Sequence, residues 1–188
     1  MVKVAVFVSG GGTNLQAILD AQNDVIRSAQ VALVISSSAD AYALQRAEKH
    51  GVPGIVLRDE AQIQRTLEEY GIELIVLAGY MRILSAEFTA RWDKRILNVH
   101  PSLIPSFCGK GMYGLRVHEA ALAKGVKVTG ATVHFVNEVP DGGEIVYQKA
   151  VEIQPDDTPE TLQRRVMEQA EWILLPRAIE KVAKEMLA

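Results

Sequence analysis

The run Val4-Ala5-Val6-Phe7-Val8-Ser9-Gly10-Gly11-Gly12-Thr13-Asn14 decides the fold class. Its first five residues are continuously apolar and mostly β-branched, the pattern of a short strand buried on both faces of a parallel sheet. A serine and three glycines then break the strand, and a helical stretch runs from Asn14 to about Gln22. The same order recurs outward along the chain. Val31 to Ile35 reads as a strand and Ala39 to His50 as a helix, closed by Gly51-Val52-Pro53-Gly54. Ile55 to Leu57 reads as a third strand, Asp59 to Tyr70 as a polar helix and Leu74 to Ala78 as a fourth strand. This alternation predicts a doubly wound α/β sheet with helices on both faces.

The second half is more mixed. Ile96 to His100 is a strand ended by Pro101, a glycine-rich loop covers Pro105 to Gly114, and Val117 to Lys124 is a short helix. Val128 to Asn137 and Ile145 to Ile153 are strands joined by a turn at Pro140-Asp141-Gly142-Gly143. Further on, Thr158 can cap a helix, Pro159 fits its first position and Glu160 suits its positive end. Leu162, Val166, Ala170, Ile173 and Leu174 form one apolar stripe, and Pro176 is expected to kink or restart the helix. With no repeat, linker or low-complexity segment, residues 1–188 are expected to form a single domain.

Bulk composition narrows the function classes. The chain has 188 residues, 48% hydrophobic, enough for one domain with a sizeable core. A formal net charge of −3 gives no global reason to expect nucleic acid or membrane as a partner, so a small anionic ligand needs a local device. The lone cysteine, Cys108, cannot form an internal disulfide, which suits a cytoplasmic location. The first apolar run breaks at Ser9-Gly10 with no cleavage site, so no signal peptide is expected. No apolar stretch approaches the ~18 residues of a spanning helix. His50, His100, His118 and His134 lack metal-ligand spacing and no acidic cluster forms a hard-cation site, so no metal is expected.

Two segments carry candidate chemistry. Glycines between a strand and a helix let the backbone approach an anion, and the helix N-terminus offers free N–H groups. Thr13 or Asn14 can add a side-chain donor or cap the helix, and a plain tight turn also fits. The spacing matches neither G-x-G-x-x-G nor a Walker A loop, which favours a single phosphate. In Arg95-Ile96-Leu97-Asn98-Val99-His100-Pro101, Asn98 and His100 lie two apart on a strand and share a face. They sit at its carboxyl end, the edge where open parallel sheets hold ligands. An amide and an imidazole there can stabilise an oxyanion or shuttle a proton, or simply close a strand end by hydrogen bonding.

Four segments together resemble the glycinamide ribonucleotide formyltransferase family. Ser9-Gly10-Gly11-Gly12-Thr13-Asn14-Leu15-Gln16 resembles its S-G-x-G-[ST]-N-x-Q opening, and Leu77 to Leu84 its L-A-G-[FY]-M-R-[IL]-L segment. Asn98 to Pro105 resembles N-[IV]-H-P-S-L-[LI]-P, and Thr132 to Val136 with Asp141-Gly142-Gly143 resembles the later V-H-F-V and D-x-G elements. The resemblance implies a Rossmann-like fold, phosphate-binding in its N-terminal half and folate-binding and catalytic in its C-terminal half. It implies formyl transfer from 10-formyltetrahydrofolate to the amine of glycinamide ribonucleotide in purine synthesis, by a monomer or homodimer. It places the acceptor's phosphate at Gly12, Thr13 and Asn14, and makes Asn98, His100 and Asp141 the catalytic trio. Met81, Arg82, Ile83 and Leu84, with Asn137, Glu138, Val139 and Pro140, would border the folate. Glu171 matches a glutamate that contacts the acceptor's amine, although helical spacing puts it at the border of the apolar stripe, where a solvated glutamate is ordinary.

The chain departs from the family in two places. A shorter stretch between Leu57 and Leu74 leaves Arg58 and Arg65 as alternatives for a folate-contacting arginine, and the run Ser106 to Tyr113 is longer than in well-known members. Cys108 reads as an ordinary loop thiol, Trp92 and Trp172 as packing residues, and His134 as either core or site. In the mechanism implied, Asn98 and protonated His100 stabilise the oxyanion, with Asp141 as the negative partner of His100. Two other formyl-handling families, the methionyl-tRNA formyltransferases and formyltetrahydrofolate deformylases, carry an additional domain not expected here. A nucleotide-binding module without catalysis would leave Asn98, His100 and Asp141 idle.

Overall fold

The structure is a computed structural model describing residues 1–188. Strands β1 (Val2–Val8), β2 (Ala29–Ser36), β3 (Gly54–Val56), β4 (Leu74–Leu77), β5 (Ile96–His100), β6 (Val128–Phe135) and β7 (Ile145–Glu152) form one sheet in the order β3-β2-β1-β4-β5-β6-β7. The first five run parallel, while β6 is antiparallel to β5 and β7 to β6. The alternating first half and mixed second half read from the sequence are both present.

Apolar side chains split by strand face, as a period of two requires. Val2, Val4, Val6 and Val8 of β1 point into a layer closed by α1 (Thr13–Asp20), α2 (Tyr42–Lys49) and the C-terminal helices. Ala5 and Phe7 point into a smaller layer with Ile63 and Leu67 of α3 (Glu60–Glu69) and Phe88 of α4 (Ala86–Arg91). α4 was not legible in the sequence. It is one short turn-and-a-half, capped by the Ser85 hydroxyl, which accepts from Phe88 N–H at 3.1 Å.

α5 (Leu115–Lys124) follows the glycine-rich loop, and the C-terminal segment corrects one expectation. α6 (Pro159–Val166) is capped by Thr158, but the break comes at a π turn, Met167–Glu171, before α7 (Trp172–Leu187). Pro176 lies inside α7, and the carbonyl it cannot bond is that of Trp172, the first residue after the π turn. The helix is thus restarted upstream of the proline. The inserted residue also rotates the stripe: Ile173 is only partly buried, while Glu171, Leu174 and Leu175 face inward.

Candidate active site

One lateral row of the sheet explains where the polar groups come from. Ile35, Phe7, Leu77, Asn98 and His134 are successive cross-strand neighbours. The row is apolar under α3 and α4 and turns polar at β5. Leu97 and Val99 fill the opposite layer, so β5 has one packed face and one chemical face. His100 pairs across the sheet with Thr132 on that same chemical face.

Loops close over this face. The Thr132 hydroxyl donates to the Ser102 carbonyl at 2.7 Å and accepts from Ile104 N–H at 3.1 Å, anchoring the chain after β5. Farther along, Phe107 adopts a left-handed φ of 49°, and its carbonyl lies 2.8 Å from His100 Nε2. A carbonyl only accepts, so Nε2 donates to it. The other nitrogen, Nδ1, faces Asp141 Oδ2 at 3.6 Å.

The Pro140-Asp141 turn therefore delivers its carboxylate to His100, as the sequence suggested. Asp141 has φ of 55°, and its Oδ2 also accepts from Gly109 N–H at 2.9 Å. Oδ1 faces His134 Nε2 at 3.5 Å, and His134 stands 3.2 Å from Asn98 Nδ2. Burial pushes the Asp141 carboxyl up, but the polar contacts around it, the Gly109 N–H and the His100 imidazole among them, outweigh burial and hold it below the ordinary value. Asn98, His100 and Asp141 are thus brought together. His134, left open between core and site, belongs to the same cluster.

His118 of α5 was set aside in the sequence. It is fully buried, neither ring nitrogen has a partner, and burial followed by the charge of His100 pushes it down to about 4. It is a neutral wall behind His100. Cys108 sits beside the cluster with its thiol on the Pro105 carbonyl at 3.3 Å, and burial followed by the Asp141 charge pushes it up, which opposes nucleophilic use.

The glycine loop opens on the same edge of the sheet. Gly12 begins α1 with φ of 73°, and a Cβ there would lie 2.6 Å from the Ala43 Cβ of α2. Gly12 is required by helix packing whatever it binds. Neither Thr13 nor Asn14 caps α1, since no side chain occupies the cap. Instead Asn14 turns inward, and its Nδ2 donates to Glu171 Oε2 at 2.9 Å while its Oδ1 has no partner. Glu171 is 5% exposed, so the solvated reading is overturned; the π turn carries it under α1. Burial pushes its carboxyl up to about 7, against the Asn14 hydrogen bond. Arg46, which sequence reasoning missed, reaches over from α2 to donate to the Gly11 carbonyl at 2.8 Å.

The third region is a cavity of about 390 Å³ lined in part by Arg58, Tyr80, Arg82 and Leu84. Met81 and Ile83 are exposed at its margin, and Met81 N–H donates to the Ser9 hydroxyl at 2.9 Å. Arg58 donates to the Ser37 carbonyl at 2.6 Å, whereas Arg65 lies exposed on α3 and outside the cavity lining. Asn137 is half-buried, and Glu138, Val139 and Pro140 are exposed on the approach to Asp141. No group of three or more His, Cys, Asp or Glu is placed to hold a metal ion, and no helix is long and apolar enough to cross a membrane.

Known proteins resemble the chain along almost its whole length. Residues 2–179 match the model of the formyl transferase family. The phosphoribosylglycinamide formyltransferase of Haemophilus influenzae is 43% identical over 188 residues, spanning 95% of this chain and 86% of that protein. The trifunctional purine biosynthetic protein adenosine-3 of Gallus gallus is 44% identical over 97% of this chain, which spans only 18% of that relative's length. Among solved structures, glycinamide ribonucleotide transformylase 1 of Symbiobacterium toebii superposes with a TM-score of 0.90 at 41% identity, covering 98% of this chain and 89% of that one.

Proposed function

The chain belongs to the formyl transferase family, and we propose that it transfers a formyl group from 10-formyltetrahydrofolate to the primary amine of glycinamide ribonucleotide in purine synthesis. The observation that carries this reading is the convergence of Asn98, His100 and Asp141 on the polar face of β5. The acceptor's phosphate takes the loop at Gly12, Thr13 and Asn14, where α1 presents its first N–H groups and Arg46 adds positive charge. The folate lies along Arg58, Met81 to Leu84 and Asn137 to Pro140, of which Arg58, Arg82, Ile83 and Leu84 line the cavity. Glu171 faces the acceptor's amine. The unpaired Cys108 supports a reducing, cytoplasmic setting.

In the reaction the amine attacks the formyl carbon, and the formyl oxygen becomes an oxyanion. The donor N10–carbon bond then breaks as the amine's proton leaves through water and N10 gains one. Asn98 Nδ2 and the imidazolium of His100 stabilise the oxyanion. His100 Nδ1 is directed at Asp141, so Nε2 is the nitrogen that serves the substrate. It is now given to the Phe107 carbonyl, and the formyl oxygen takes that carbonyl's place. Holding both substrates side by side supplies much of the remaining rate. The test is an assay of the purified chain with both substrates. Formylated ribonucleotide and tetrahydrofolate in equal amounts are expected; hydrolysis of the folate without acceptor formylation would refute the reading.

A further inference from the structure

His134 lies on β6 directly across from Asn98 and is buried. Its Nδ1 stands 2.7 Å from the Phe135 carbonyl oxygen. That acceptor fixes Nδ1 as a donor, because a carbonyl has no hydrogen to give. The glycine turn packs onto the same oxygen: a Cβ on Gly143 would lie 1.8 Å from it. The turn that delivers Asp141 thus covers the group that sets the tautomer of His134.

The second nitrogen, Nε2, faces two groups with opposite demands. Asn98 Nδ2 is 3.2 Å away and Asp141 Oδ1 is 3.5 Å away. Accepting from the amide requires a bare Nε2; donating to the carboxylate requires a protonated one. The shorter contact is the one with Asn98. If Nε2 were protonated, the amide would have to turn over and offer Oδ1 instead.

We propose that His134 is a positioning residue for the formyl transfer read above: as the neutral Nδ1–H tautomer it accepts from Asn98 and thereby fixes which end of that amide faces the reacting carbonyl. An amide nitrogen carries two hydrogens. One is held by His134 and the other remains for the oxyanion. Without that acceptor the amide is free to present its oxygen, which repels the oxyanion. The two imidazoles around Asp141 therefore have different duties, His100 toward the oxyanion and His134 toward Asn98.

Single-turnover transfer by the full chain tests this, using His134→Leu and His134→Gln, each alone and combined with Asn98→Ala. His134→Leu should slow transfer ~10-fold or more, with folate-analogue affinity changed less than about twofold. His134→Gln, whose amide oxygen can accept from Asn98, should recover to within about threefold of wild type. In the Asn98→Ala background His134→Leu should add less than about twofold, because the residue it positions is gone. A full additional loss there would overturn the proposal. Nitrogen-15 NMR of the wild-type chain needs no variant: a neutral Nδ1–H His134 at neutral pH is expected, and an imidazolium or an Nε2–H tautomer would refute it. A wild type that transfers no formyl group would instead refute the functional reading.

Discussion

Two polar clusters at the ligand edge of the sheet differ in how well they are satisfied. Around Asp141, one carboxylate meets a backbone N–H and two imidazoles, and it is held below its ordinary value. Between Asn14 and Glu171 a single hydrogen bond links two buried side chains, one amide oxygen has no partner, and the carboxyl is pushed up by burial to about 7. Glu180, nine residues farther along the same C-terminal segment, is a control. Burial raises it too, but the Ser28 and Arg27 N–H groups, Lys184 and the Ser28 hydroxyl bring it down to about 2. Donor supply separates the structural carboxylate, Glu180, from the unsatisfied one, Glu171. The Asp141 cluster is assembled before substrate arrives, with the His100 Nε2 donor held by the Phe107 carbonyl until the formyl oxygen displaces it. The Asn14–Glu171 pair still lacks partners, which suits a place where a substrate's polar groups complete the set.

Substitutions in the first cluster should cost rate and not affinity. The largest effect is expected from Asn98→Ala, a loss of ~100 to 1,000-fold in turnover with ribonucleotide affinity within about threefold. Asp141→Asn keeps shape but removes charge, and turnover should fall ~100-fold. Substrate dissociation constants measured beside kcat decide both; parallel losses of affinity would erase the distinction between the clusters.

In the second cluster the pattern should invert. Asn14→Ala should weaken the ribonucleotide ~10-fold, the folate less than about twofold, and leave turnover at saturation within about threefold. Asn14 is a cleaner test than Gly12, whose replacement would strike Ala43. Glu171 predicts a stability slope. Its folded pKa of about 7 is raised above the ordinary 4.5, so its favourable contribution is present below 4.5 and lost as pH rises through about 7. Glu171→Gln should remove that loss, a gain on the order of 1–3 kcal/mol at pH 8 over wild type. The wild type minus variant difference matters, because His118, lowered to about 4, titrates with the opposite sign in an overlapping range. Denaturant midpoints across pH would check this, and an unchanged slope would mean that Glu171 is charged when folded. The smallest effect concerns the cavity: Arg58→Ala should weaken a folate analogue about three- to tenfold, and Arg65→Ala should leave it unchanged.

The first cluster was largely legible from sequence and the second was not, for a physical reason. Asn98 and His100 are two apart on one strand, so the strand period alone puts them on one face. Asp141 came from the family resemblance, and the glycine turn that carries it lies between two readable strands. Glu171 depends on a π turn, where one extra residue rotates a side chain from border to interior, and on a partner 157 residues away. Phe107 was invisible for another reason, since its contribution is a carbonyl and a backbone angle that residue identity does not encode. The short α4 carries too few residues for a periodic signal.

In the proposed reaction His100, held between Asp141 and the substrate, stabilises the oxyanion. The most direct measurement is single-turnover formyl transfer by His100→Gln at saturating ribonucleotide and 10-formyltetrahydrofolate, with each dissociation constant measured separately. A rate lower by ~100-fold or more is expected, with both dissociation constants within about threefold of wild type. A near-wild-type rate, or a loss that appears wholly in the dissociation constants, would contradict it.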